Sequence, residues 1–288
     1  MPQSAANRSN LVTAALLAPA GAFFLFLLIV PLVVVLVFSV GERAPVGGYQ
    51  AGFTFDNYLN LGARGKAFVN TLTLAPLATL LTALFAFPMA YFLALKANPK
   101  YRVALLVLVM APFWTSQLLR YYAWMMILGG QGIPSWLGWI GIDGVRLINT
   151  PTAVLVGAVY GFLPLMVPPI YVSLEKLDKR LLEASADLGA TPLHTFLQVT
   201  LPLALPGVAM GSMLVFILLM GDYILPLFLG GGKVFFIGNA LVDLFLQSRN
   251  WPFGAAVSVA LVAIMFVTIY VYMRFVLSHT GTRRAALV

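Results

Sequence analysis

The sequence predicts an all-α integral membrane protein with six transmembrane helices, forming a single domain over residues 1–288. Two observations carry that expectation. Of the 288 residues, 61% are hydrophobic and only 9% are charged, and the mean hydropathy is +0.96. A soluble domain of this length cannot bury so much apolar surface. The apolar residues also fall in six long runs, and crossing ~30 Å of hydrocarbon takes ~20 residues at ~1.5 Å of rise each.

The first run, Leu11–Val40, follows Arg8 and contains Ala18-Pro19-Ala20, which has the small residues of a signal cleavage site. It continues uncharged well beyond the ~7–15 residues of a signal h-region, so an uncleaved first span is expected. The second and third runs are Ala67–Leu95 and Val103–Leu128, the latter interrupted only by Arg120. Leu147–Leu174, Val199–Leu229 (interrupted only by Asp222) and Trp251–Met273 complete the set.

Basic residues fall between the runs. Arg8, Lys96, Lys100, Arg102, Lys176, Lys179, Arg180, Arg274, Arg283 and Arg284 lie on one side, ten in all, against six on the other: Arg43, Arg64, Lys66, Arg146, Lys233 and Arg249. The positive-inside bias then predicts that both termini are cytoplasmic. A formal charge of +8 spread this way forms no basic face for nucleic acid. The outer loops Gly41–Lys66, Gly129–Arg146 and Gly230–Asn250 are rich in Gly, Trp and Pro; Ile133–Leu137 suits the interface, and the loops suit an external partner.

The chain has no cysteine, which excludes disulfides and thiolate chemistry, and His194 and His279 stand far apart without metal-binding neighbours. Gly157 and Gly161, and Gly207 and Gly211, sit four apart, a spacing that lets helix backbones approach closely in lipid. Prolines within the runs, including Pro112, Pro164, Pro168 and Pro169, predict kinked helices.

The longest charged stretch on the inner side, Glu175–Thr200, reads as two short helices at an angle. Lys179–Leu188 is amphipathic, with Leu181, Ala184 and Leu188 on one face and Glu183 and Asp187 on another. Gly189 stands at the C-cap position. Thr191 is a helix N-cap and Pro192 fits a first turn, so Leu193–Val199 is expected to form a second short helix ending ahead of Pro202.

Glu183-Ala184-Ser185, Gly189 and Val199-Thr200-Leu201-Pro202 resemble the EAA loop of ABC importer permeases. The family pattern is Glu-Ala-Ala, three residues, Gly, nine residues, Ile-x-Leu-Pro, and every spacing is met; Ser185 and Val199 are the departures. Further matches are similar to the first of the two permeases of spermidine/putrescine systems: Pro112-Phe113-Trp114-Thr115-Ser116 with Arg120 and Tyr122-Ala123-Trp124, Gly161-Phe162-Leu163-Pro164, Gly221-Asp222-Tyr223, and Asn250-Trp251-Pro252 with Gly254-Ala255-Ala256.

This resemblance implies a type I ABC importer permease fold, in which the elbow is a cytoplasmic coupling helix seated in an ATPase cleft. The residues it implicates are Glu183, Ala184, Ser185, Asp187, Gly189, Pro192, Leu201 and Pro202. It also implies a cytoplasmic ATPase dimer, a second homologous permease of different sequence, and an external solute-binding protein. This chain would hold no cofactor, ATP and Mg²⁺ being bound by the ATPase. Polyamine is the implied solute; amino-acid derivatives, phosphonates and metal chelates use the same scaffold.

Ionisable residues within a span are costly and mark function by default. Counted along straight helices, Arg120 lies 17 residues from Val103 and Asp222 lies 15 from Gly207, which is roughly 22–26 Å of rise in each case. An Arg120–Asp222 ion pair, separate snorkelling to the interface, and an acidic, aromatic vestibule of Asp222, Tyr122, Trp124 and Tyr223 for a cation all fit that depth. No phosphate-binding loop is present, since Gly230-Gly231-Gly232-Lys233 continues into Val234. A secondary transporter would need mid-membrane relay groups or an inverted repeat, and an enzyme a nucleophile–base or carboxylate pair; neither is found.

Overall fold

The computed structural model describes residues 2–284, with side chains described at Thr13 and from 16 to 274. Arg8, His279, Arg283 and Arg284 have side chains outside the described set. The order of elements is α1 (Pro2–Ser39), β1 (Glu42–Arg43), β2 (Tyr49–Gln50), α2 (Asp56–Leu59), α3 (Gly65–Tyr91), α4 (Pro99–Met110), α5 (Gln117–Leu128) and α6 (Ile133–Trp139). It continues with α7 (Pro151–Glu175), α8 (Lys179–Asp187), α9 (Pro192–Thr195), α10 (Leu201–Gly221), α11 (Ile224–Gly230), α12 (Ile237–Val242) and α13 (Trp251–Arg284).

Among the described residues, five helices are long and apolar enough to cross a membrane, and one bent pair brings the number to six when counted as a single broken span. That pair lies in the third run, where Pro112 predicts a kink: its two helices meet at 86°. The cause is local. Pro112 lies in a 3₁₀ turn, and its carbonyl accepts from both Thr115 N (3.3 Å) and Thr115 Oγ1 (2.7 Å). Thr115 and Ser116 then take extended backbone angles that no helix can continue through. The fifth run is broken too, because α10 ends at Gly221 and α11 begins at Ile224.

Contacts divide the chain into two compact units, 1–62 with 243–260 and 63–242 with 261–288. In the first, the Leu16–Ser39 stretch of α1 has 0% of its apolar window buried, so it is a helix whose solvent must be lipid or protein. The following loop is pinned by Phe38 stacked on Tyr49 (4.3 Å), and by Gly48 N and Arg43 Nη2 donating to the carbonyls of Arg249 (2.7 Å) and Ser248 (2.9 Å).

The second unit is built on α3, α7 and α10, which cross in close contact. Small residues make that possible: Ala75, Ala78, Ala86 and Ala90 of α3 are buried, and a Cβ on Gly207 would run into the Pro169 carbonyl of α7. Gly211 faces Met166, while Gly157 admits Leu225 and Leu229 of α11. Close backbone approach is thus what the glycine spacing serves. Helix α7, capped by the Thr150 hydroxyl accepting from Ala153 N (3.2 Å), runs unbroken through Pro164, Pro168 and Pro169. The sharp breaks fall instead where extended residues interrupt the chain.

Candidate functional site

The cytoplasm-directed elbow of the sequence reading forms as two helices joined by a tight turn. Asp178 caps α8 by accepting from Arg180 N at 3.0 Å. At its other end, Gly189 N donates to Ala186 O (2.9 Å) and Ala190 N to Ser185 O (3.1 Å), with Gly189 at φ +77°. This is the Schellman arrangement, and only glycine takes that backbone angle without strain. Thr191 Oγ1 then accepts from His194 N at 3.3 Å, capping α9 ahead of Pro192.

The second helix differs from expectation. It does not end before Pro202: α9 passes through a π turn, Phe196–Thr200, directly into α10. Proline lacks the N–H and crowds the carbonyl four residues back, and the wider π turn relieves both. Leu201 and Pro202 therefore open a membrane helix, whereas Glu183, Ala184, Asp187, Gly189 and Pro192 stand exposed on the elbow. Leu181, Leu188 and Leu193 are also exposed, Leu188 by 88%, so the elbow carries apolar surface with nothing over it in this chain.

The second cluster surrounds the two breaks. Arg120 sits in the first turn of α5, buried to 9% exposure, with Nη1 3.4 Å from Gly161 O of α7 and Nε unpartnered. Asp222 lies between α10 and α11, where Oδ1 accepts from Ile224 N (2.9 Å) and Leu225 N (3.2 Å) and so caps α11. Its Oδ2 is buried and unpartnered. The Arg120–Asp222 ion pair is not formed, and depth counted along straight helices fails for Arg120 because the bend lies between it and Val103. Tyr122 meets Phe228 edge-on (4.9 Å) and Trp124 meets Tyr160 (5.4 Å), while the Tyr223 ring is half-exposed and its carbonyl accepts from Asn239 Nδ2 (2.8 Å). Among the described residues, no hydrogen bond or ion pair joins one of these five side chains to another.

Two groups escaped the sequence reading. Arg102 Nη1 stands 3.6 Å from Glu175 Oε1, which also accepts from the Tyr171 hydroxyl at 2.6 Å, tying the foot of α4 to the end of α7. Tyr171 and Glu175 are four apart on a helix and could have been paired; Arg102 gives no local signal. Buried Tyr121, whose hydroxyl accepts from Gln117 Nε2 (3.0 Å), faces Gly161.

This arrangement of broken helices around a small-residue core, with an exposed elbow, matches known transport proteins. Residues 84–279 match the family model described as binding-protein-dependent transport system inner membrane component. The chain belongs to this family. The permease is 40% identical to the spermidine/putrescine transport system permease protein PotB of Haemophilus influenzae, covering 93% of this chain and 94% of that one. It is 42% identical to PotB of Escherichia coli K12 (77% and 82% covered) and 36% identical to the E. coli inner membrane ABC transporter permease protein YdcU (81% and 75% covered). Its fold is that of a chain in a bacterial ABC transporter involved in import of the acidic polysaccharide alginate, with TM-score 0.74 at 18% identity over 96% of this chain and 98% of that one. The methionine ABC transporter MetNI in an inward-facing conformation gives 0.55 at 20% identity, over 77% and 97%. The permease is thus a multi-pass inner-membrane subunit of an ATP-driven importer, with the type I fold, and is not itself an enzyme.

Proposed function

We propose that this permease forms half of a pathway importing polyamines of the spermidine/putrescine class. The observation that carries the reading is the 40% identity maintained along 94% of a spermidine/putrescine permease. In this reading a second, homologous permease of different sequence supplies the other half, and an external solute-binding protein delivers the cation at the outer loops. Both termini are cytoplasmic, as the ten-to-six bias of basic residues supports.

The elbow docks on a cytoplasmic ATPase dimer through Glu183, Ala184, Ser185, Asp187, Gly189 and Pro192, with Leu201 and Pro202 carrying its motion into the bundle. Its exposed leucines support that role, because unpaired apolar surface on the end of a membrane protein marks a contact. ATP and Mg²⁺ bind the ATPase; this chain holds no cofactor.

In this reading Asp222 offers the substrate a carboxylate and Tyr122, Trp124 and Tyr223 offer aromatic faces for an ammonium group, while Arg120, itself a cation, repels that group and limits where it rests. The free, buried Oδ2 of Asp222 supports this. The test is ATP hydrolysis by the complex in lipid nanodiscs, assembled from this chain and the proteins encoded beside it. Stimulation that needs both binding protein and polyamine is expected; stimulation with another solute alone discards the polyamine and keeps the importer.

A further inference from the structure

One of the two positions where this chain departs from the EAA pattern has a partner. Ser185 Oγ lies 2.8 Å from Thr195 Oγ1, a hydroxyl pair that joins α8 to α9 across the turn. An alanine at that position has no such bond to make. The next residue along, Phe196, opens the π turn and sets its ring edge-on to Phe87 (5.5 Å, 89°) and against Tyr91 (6.3 Å, 73°) of α3. Helix α3 itself ends in a second π turn, Phe92–Lys96, immediately after these two rings.

We propose that the Ser185–Thr195 pair makes the elbow one rigid lever, and that Phe196 delivers its displacement to the inner end of α3. This rests on the reading of the elbow as the ATPase contact. A hydroxyl pair spanning the turn couples the motion of α8 to that of α9, with the modest strength of one hydrogen bond. Phe196, carried on the helix that continues from α9, then presses its half-buried ring against Phe87 and Tyr91. The paired π turns are the places where each helix has backbone slack to accept the shift. Ser185, Thr195 and Phe196 are therefore positioning residues, which act through α3 and not on the solute.

The experiment uses the full complex in nanodiscs and the absence of native cysteine from this chain. Phe92→Cys places a thiol reagent target in the α3 π turn, where the native side chain is 53% exposed. Its labelling rate is compared between the nucleotide-free and vanadate-trapped states. A change of about fivefold or more is expected with the native elbow, its loss with Phe196→Ala, its weakening with Ser185→Ala or Thr195→Val, and its recovery with Phe196→Tyr. Combining Ser185→Ala with Thr195→Val should be no worse than either alone. The same change in every variant, or none with the native elbow, overturns the lever. The underlying reading fails separately: it falls if Gly189→Val leaves binding-protein-stimulated ATP hydrolysis intact.

Discussion

Tyr171 donates a 2.6 Å hydrogen bond to Glu175 Oε1, the oxygen that Arg102 approaches to 3.6 Å. Because Glu175 is nearly half exposed, screening leaves the ion pair weak and the hydrogen bond dominant. Glu175→Ala should cost about 1 kcal/mol and Glu175→Gln less, since the amide oxygen still accepts from Tyr171. Thermal unfolding of the purified permease in detergent checks the order. Equal losses would mean that the charge paired with Arg102 of α4, not the acceptor for Tyr171 within α7, carries the stabilisation.

Asp222 caps α11 and, in the proposed function, offers its charge to the solute; one substitution separates the two. Asparagine caps a helix as well as aspartate does, so Asp222→Asn should keep α11 and complex assembly. It removes the charge, and transport of a polyamine should fall by roughly tenfold, equivalent to about 1.4 kcal/mol. Asp222→Ala loses the cap as well, a further cost of about 1 kcal/mol. Polyamine uptake and the yield of assembled complex are the two readouts; unchanged uptake in the Asn variant removes Asp222 from the pathway.

Gly189 at φ +77° closes the elbow. A β-branched residue there costs at least about 1–2 kcal/mol and redirects α9. Gly189→Val should insert in the membrane at normal levels but lose stimulation of ATP hydrolysis, whereas Gly189→Asn should retain part of it.

Leu188 is exposed by 88% on the elbow tip. This chain has no native cysteine, so Leu188→Cys gives it a single thiol, read on its own band. A membrane-impermeant maleimide should label it in inside-out vesicles and not in right-side-out ones, and adding the ATPase should protect it. Labelling from the outer face would reverse the assigned orientation.

Much of this was legible in the chain itself. Hydropathy locates the spans, and Gly189, Thr191 and Pro192 describe the turn because capping is local chemistry. Hydropathy is blind, however, to a break inside an apolar run: Thr115 and Ser116 are as tolerable in a membrane helix as between two, and only their backbone angles produce the 86° bend. Pro202 misled because a proline stops most helices, yet a π turn carries this one past it. Arg102 with Glu175, and Phe196 with Phe87, are pairings set by tertiary packing across distant segments, for which a single sequence holds no signal.

If the elbow is the ATPase contact proposed above, the Schellman turn and the Thr191 cap also bear on how quickly the importer assembles. A segment that folds only on contact must lose ~1–2 kcal/mol of backbone entropy per residue at that moment, and association slows accordingly. An elbow whose shape is set beforehand arrives with that ordering done, so burying Leu181, Leu188 and Leu193 goes directly into affinity. With the elbow docked as proposed, encounter with the ATPase would be governed by collision and charge, and complexes that come apart would re-form without refolding the elbow.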